Sequence, residues 1–139
     1  MIVGLEQTPS VVAIVPTLGS NTDRLRRCIA SIDRSTNDVA VGVVVVWNSL
    51  AVAPTTMLGA SFLTPGLNLG FPGSLNHGRS RVEASFIWVI QDDVTVRDGC
   101  LAALMARMAD DDRLAVVAPV TVDGQGRIPH VRAATLTDD

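Results

Sequence analysis

Apolar residues fall along this chain in two kinds of run, and their alternation predicts its elements. Residues 11–16, VVAIVP, are continuously apolar and mostly β-branched, the pattern of a strand buried on both faces. The polar loop TLGSNTD follows. Leu25, Cys28, Ile29 and Ile32 then recur at i, i+3, i+4 and i+7 with Arg24, Arg26 and Arg27 between them. That spacing predicts an amphipathic helix, with Ser20, Asn21 or Thr22 as its cap. A second buried strand is predicted over 39–47, VAVGVVVVW, halted by Asn48 and Ser49. Residues 51–66 are weakly patterned, with a short strand near Phe62 and Leu63. The stretch NLGFPGSLNHG opens with glycines and turns helical through Leu75, Arg79 and Val82. FIWVI (86–90) is the third strong strand, and Leu101, Leu104, Met105 and Met108 form a further helical stripe that ends at ADDD. LAVVAPVTV (114–122) reads as a fourth strand. DGQG (123–126) is a turn that would fold RIPHV back as a C-terminal β-hairpin.

Strands that are apolar throughout and alternate with helices predict an α/β fold, a mostly parallel sheet with helices on both faces. In such sheets ligands bind beyond the carboxyl ends of the strands. The polar loops TLGS, NSL and QDDV follow strands at those places. No internal repeat or linker interrupts the pattern, so residues 1–139 read as one domain.

Composition narrows the function. The 139 residues are 47% hydrophobic and 18% charged, which supports a packed core and excludes a disordered chain. A formal charge of -3 gives no basic footprint, so nucleic acid is not an expected partner. No apolar run approaches the roughly 20 residues that span a bilayer, so no transmembrane segment is expected. MIVGLEQTPS has an acid and no basic region, unlike a signal peptide. Cys28 and Cys100 sit in helical apolar patterns and read as reduced core thiols in a cytosolic protein.

Three stretches carry candidate chemistry. The strand FIWVI ends at Gln91, Asp92 and Asp93. Two carboxylates about 4 Å apart repel by roughly 1 kcal/mol in water and about 4 kcal/mol at an effective dielectric near 20, so solvent, a helix start, a basic partner or a metal must relieve them. Alternation along an extended chain sends Gln91 and Asp93 one way and Asp92 the other. One carboxylate reaching into a crevice suits a hard divalent cation whose other ligands are waters and phosphates. The same acids would equally serve to cap a helix beginning near Asp98. In the second stretch, Asn68, Gly70, Gly73 and Asn76 stand at a helix start, where free amides favour anions. The spacing matches neither G-x-G-x-x-G nor a P-loop. In the third, Thr17 and the backbone after it are placed to meet a ligand or to lead into the helix cap. Trp47 ends the second strand on the same edge, where its ring would stack on a planar ligand or simply pack. His77 and His130 have no companions at zinc spacing.

Taken in order, VVAIVPTLGSNTDRLRRCIASI, VGVVVVWNS, NLGFPGSLNHG, FIWVIQDDVTVRDGCLAALMARM and VAPVTVDGQGRI resemble the inverting nucleotide-sugar glycosyltransferases of family 2. Rhamnosyl- and galactofuranosyl-transferase-like members are the most similar. The resemblance runs from about residue 11 to 130 and implies the GT-A fold, here a Rossmann-like half. It assigns Pro16, Thr17, Leu18, Trp47 and Asn48 to the nucleotide base and ribose, and Asn68 and Gly70 to the nucleotide-sugar pocket. The acidic strand end corresponds to the family's D-x-D motif, which gives Asp93 the role of holding Mg²⁺ or Mn²⁺ on the diphosphate, with Asp92 beside it. The implied partners are a nucleotide-diphospho-sugar and a glycan or lipid-linked acceptor, as in cell wall polysaccharide synthesis. The implied location is the cytoplasm, either free or at the inner face of the membrane. Self-association as a homo-oligomer stays open.

This chain departs from the family pattern at two positions. Trp47 stands where the family has a base-contacting acid, and Gln91 where D-x-D has its first acid. The catalytic base and most acceptor contacts come in the family from beyond the hairpin, where this chain offers only AATLTDD. Asp138 and Asp139 are poor candidates for the base, so the catalytic residue stays unassigned. Two functions follow: transfer of a sugar with inversion, or a truncated, non-catalytic relative that binds nucleotide weakly or serves as an assembly module. A phospho-acceptor receiver domain is excluded, because it needs acids after the first strand and a lysine, and this chain has no lysine.

Overall fold

The computed structural model describes residues 10–36 and 39–129. The chain divides into two compact units, Met1–Ala103 and Leu104–Asp139.

The first unit holds a four-stranded parallel sheet in the order β3-β2-β1-β4. Its strands are β1 (Val11–Thr17), β2 (Val41–Trp47), β3 (Ser61–Leu63) and β4 (Phe86–Val89). The β1 and β2 strands run in full register from Val11 opposite Val41 to Thr17 opposite Trp47, so both end at the same level. β4 pairs with β1 only from Val11–Phe86 to Ile14–Val89.

Both faces of the sheet are covered, which is why β1 and β2 read as unbroken apolar runs. Helix α1 (Thr22–Ser35) lays Leu25, Cys28, Ile29 and Ile32 against Ala13, Val15, Val45 and Trp47. Each fully buried Leu or Ile here contributes roughly 1.5–3 kcal/mol of hydrophobic stabilisation. Of the three capping candidates, Asn21 caps α1: its side chain accepts from Arg24 N at 2.9 Å. On the other face Val12, Ile14, Val44 and Val46 pack with Leu75 and Ile87. Helix α2 (Gly70–Arg79) comes very close there. A Cβ at Gly78 would lie 2.8 Å from Ile14 Cγ2, a fit that only glycine permits. Helix α3 (Cys100–Ala109) begins in the first unit and ends in the second.

The second unit differs from expectation. The apolar run 114–122 forms no strand, and Val116 and Val120 are exposed. Apolar residues become a strand only when a ladder partner takes up their backbone groups, and Pro119 removes one donor from the run. The turn at 123–126 does form, closed by Asp123 N donating to Arg127 O at 2.8 Å and Gly126 N to Asp123 O at 2.9 Å. The Asp123 carboxylate also accepts from Gln125 N and Arg127 N, and pairs with Arg127 Nε at 3.0 Å. His130 and Val131, the far part of the expected hairpin arm, lie outside the described residues.

Candidate active site

The acidic segment is held in place by α1. Ile90 N donates to Ile14 O at 3.1 Å, extending the β1–β4 ladder, and Val94 N then closes a turn onto Gln91 O at 3.2 Å. The Cys28 thiol donates to Gln91 O at 3.4 Å. Fully buried Ser31 donates to Cys28 O at 2.7 Å and accepts from Val96 N at 2.9 Å. Burial first, and the charges of Asp92 and Asp93 after it, push the Cys28 thiol up to about 12. It is therefore a neutral packing group, as the sequence suggested.

The two adjacent acids have different surroundings. Asp92 is buried. It accepts from the Thr17 hydroxyl at 2.5 Å and from Arg24 Nη2 at 3.0 and 3.2 Å, joining the end of β1, the first turn of α1 and the end of β4. Asp93 is exposed and makes no hydrogen bond or ion pair among the described residues. Gln91 is exposed as well, so the alternation expected across 91–93 is observed. Arg24 thus relieves the like-charge repulsion by compensating Asp92, which leaves Asp93 as the free carboxylate. Neither acid caps α3, whose first turn contains no acidic residue.

A second constraint fixes the NLGF stretch. Asn48 follows directly on β2, and its backbone N–H donates to Thr17 O at 2.8 Å. The buried side chain accepts from Leu69 N at 2.6 Å and donates to Asn68 Oδ1 at 2.7 Å. Asn68 Oδ1 also accepts from Gly70 N at 2.8 Å, a local turn that takes the chain through φ +67° at Gly70. Only glycine adopts that angle without strain.

These elements enclose a cavity of about 350 Å³ beyond the carboxyl ends of β1, β2 and β4. Pro16, Thr17 and Leu18 line it from β1, and Asn48 from β2. Asn68 and Gly70 form another wall, and Asp92 and Asp93 a third. Gly73 and Asn76 lie within α2 and outside the cavity lining, and Trp47 is elsewhere too. It is 2% exposed, its Nε1 donates to Ala51 O at 2.7 Å, and its ring packs against Gly19 and tilts toward Phe62 at a centroid distance of 6.2 Å. The ring stands on the α1 face of the sheet and is core, which removes it from base stacking. Arg24, Phe71 and Gln91 line the cavity but stood outside the expected site. Arg24 looked like one of three arginines on a solvent-facing helix side. Its position in the first turn, nearest the strand ends, was the available signal. His77 lies in α2 away from the cavity lining, and His130, Asp138 and Asp139 fall outside the described residues.

The glycosyl transferase family 2 profile matches residues 13–135, nearly the whole chain. The chain belongs to that family. No curated protein matches it. The fold of this family 2 member is similar to the crystal structure of S. aureus TarS 1–349, with a TM-score of 0.58 at 20% sequence identity. The alignment covers 73% of this chain and 32% of that one, so the present chain accounts for about a third of that structure. At this identity the likeness concerns the fold, and the GT-A-like α/β architecture expected from the sequence is the one observed.

Proposed function

We propose that this family 2 chain is the donor-binding part of an inverting glycosyltransferase, which moves a sugar from a nucleotide-diphospho-sugar to a glycan or lipid-linked acceptor. The observation that carries this reading is the division of labour between two neighbouring acids. Asp92 is engaged by Thr17 and Arg24, while Asp93 lines a cavity at the strand ends with no partner among the described residues.

The donor set fits a hard divalent cation of the Mg²⁺ or Mn²⁺ kind. Such ions bind through one or two carboxylates and take phosphates and waters as their remaining ligands. Asp93 supplies the carboxylate and Gln91 an amide oxygen on the same wall. Among the described residues no three acidic, histidine or cysteine side chains form a cluster, and phosphate oxygens and waters would complete the coordination. When bound, the cation would neutralise charge building on the departing nucleoside diphosphate. The chain's own residues shape the rest of the site. Asn48 holds the Asn68–Gly70 segment against the end of β2, and Leu18 and Phe71 offer exposed apolar walls to the base or sugar. Rhamnose and galactofuranose are the donor sugars to test first.

Calorimetric titration with UDP, dTDP and GDP, each with and without Mn²⁺, tests the proposal. Metal-dependent binding that disappears in Asp93→Ala is the expected result. The absence of heat with every nucleotide would replace it with a non-catalytic descendant, a reading for which Gln91 in place of an acid speaks.

A further inference from the structure

Arg24 lines the same cavity from the first turn of α1, with its side chain 38% exposed. Nη2 is engaged by both oxygens of Asp92, and Nε is buried with no partner. Nη1 makes no hydrogen bond among the described residues. A guanidinium carries five N–H donors, so the ion pair leaves most of them unused at the wall of a cavity. Asp92 is also engaged by Thr17, which donates to it at 2.5 Å. At the start of α1 the backbone N–H of Arg24 itself is taken by the Asn21 cap at 2.9 Å. The remaining charged group on the lining is Asp93. A ligand that suits both must bring anionic oxygens to a guanidinium and share a cation with a carboxylate. A diphosphate does both.

We propose that Arg24 is a diphosphate-binding residue, whose Nη1 donates to a phosphate oxygen while Nη2 stays on Asp92. This rests on the reading of the cavity as a nucleotide-sugar site and adds a second, cation-independent hold on the donor. Asp92 has a double role in this arrangement. It fixes the direction of the guanidinium and withdraws part of its charge, so that the hold of Arg24 on a diphosphate is weak by itself.

Titrating the full chain with inorganic pyrophosphate in EDTA separates the guanidinium from any cation. Wild type is expected to bind weakly, and Arg24→Gln about tenfold more weakly still, the size of one charge-assisted hydrogen bond. Asp92→Asn keeps the Thr17 contact and releases the charge of Arg24, so it is expected to bind pyrophosphate roughly fivefold more tightly than wild type. Absence of pyrophosphate binding to wild type, unchanged affinity in Arg24→Gln, or no gain in Asp92→Asn overturns the proposal. The last outcome would assign Arg24 to holding the loop alone. Should Arg24→Gln fail to fold, Asp92→Asn decides. Titration of the same proteins with UDP and Mn²⁺ keeps the two readings apart. Wild-type heat that Arg24→Gln leaves unchanged overturns the role of Arg24 only, whereas no wild-type heat with any nucleotide overturns the donor site itself.

Discussion

Asn48 and Asn68 are joined side chain to side chain at 2.7 Å, across 20 residues of sequence and between two walls of the cavity. The same Asn48 carboxamide accepts from Leu69 N at 2.6 Å, so one buried group uses its donor and its acceptor on adjacent residues of the NLGF stretch. Asn48→Ala leaves Leu69 N and Asn68 Oδ1 without that partner, at a cost of about 1–3 kcal/mol. Asn48→Asp retains the acceptor and loses the donor, and sets a carboxylate oxygen against Asn68 Oδ1. Both variants are expected to lower the urea midpoint and to speed amide exchange at Leu69 and Gly70. Unchanged exchange at those amides would show that the stretch holds its shape without Asn48.

Gly19 and Gly70 share a left-handed backbone, at φ +70° and +67°, but not the same surroundings. A Cβ at Gly19 would come within 2.3 Å of Trp47 Cζ2, whereas at Gly70 it would meet nothing within 4 Å. Gly70→Ala is therefore expected to cost only the conformational strain, about 1–2 kcal/mol. Gly19→Ala adds a clash with a buried ring and is expected to cost about 1–3 kcal/mol more. Chemical denaturation of the two variants side by side measures the difference. Equal losses would mean that the Trp47 ring yields freely, contrary to its packing against Phe62 and its hydrogen bond to Ala51.

The sheet was legible because its strands are buried on both faces, so VVAIVP and VGVVVVW announce themselves without context. The placing of Thr17, Asn48 and Asp93 at one edge followed from where those runs stop. Two features could not be read along the chain. The Trp47 ring faces α1 and not the cavity because Trp47 shares a sheet face with Val45, next to Gly19, and that choice of side is set by tertiary packing. The partner of Asp92 is 68 residues away on α1, and only its place in the first turn sets Arg24 apart from Arg26 and Arg27. The run 114–122 shows the opposite failure, apolar and β-branched yet without a ladder partner among the described residues.

Ser31 is a second residue whose role is visible only in three dimensions. It is fully buried on α1, donating to Cys28 O and accepting from Val96 N, so it pins the loop that follows Asp93. Ser31→Ala leaves Val96 N buried and unpaired, with an expected loss of about 1–3 kcal/mol. If the loop also presents Asp93, Mn²⁺-dependent nucleotide binding should weaken in this variant even under conditions where it is fully folded. A stability loss with unaltered nucleotide binding would show that Asp93 is positioned without this anchor.

The chain contains neither tyrosine nor lysine, which makes its alkaline behaviour simple to interpret. Arginine keeps its proton above pH 12 and the terminal amine loses its own near pH 8, so the two thiols are the groups left to titrate between these limits. Burial and then the charges of Asp92 and Asp93 push Cys28 up from 9.0 to about 12, and burial raises Cys100 as well. Between pH 9 and 12 the unfolded chain therefore releases a proton at Cys28 that the folded chain retains. Stability contributed by the neutral thiol is intact below pH 9 and declines as pH rises toward 12, because the unfolded state binds fewer protons there. Unfolding free energies measured at intervals from pH 8.5 to 11 should fall steadily for wild type and much less for Cys28→Ala. An equally steep fall in Cys28→Ala would remove the Cys28 thiol as the cause, and with it the view that the acidic loop closes over a dry sulfur.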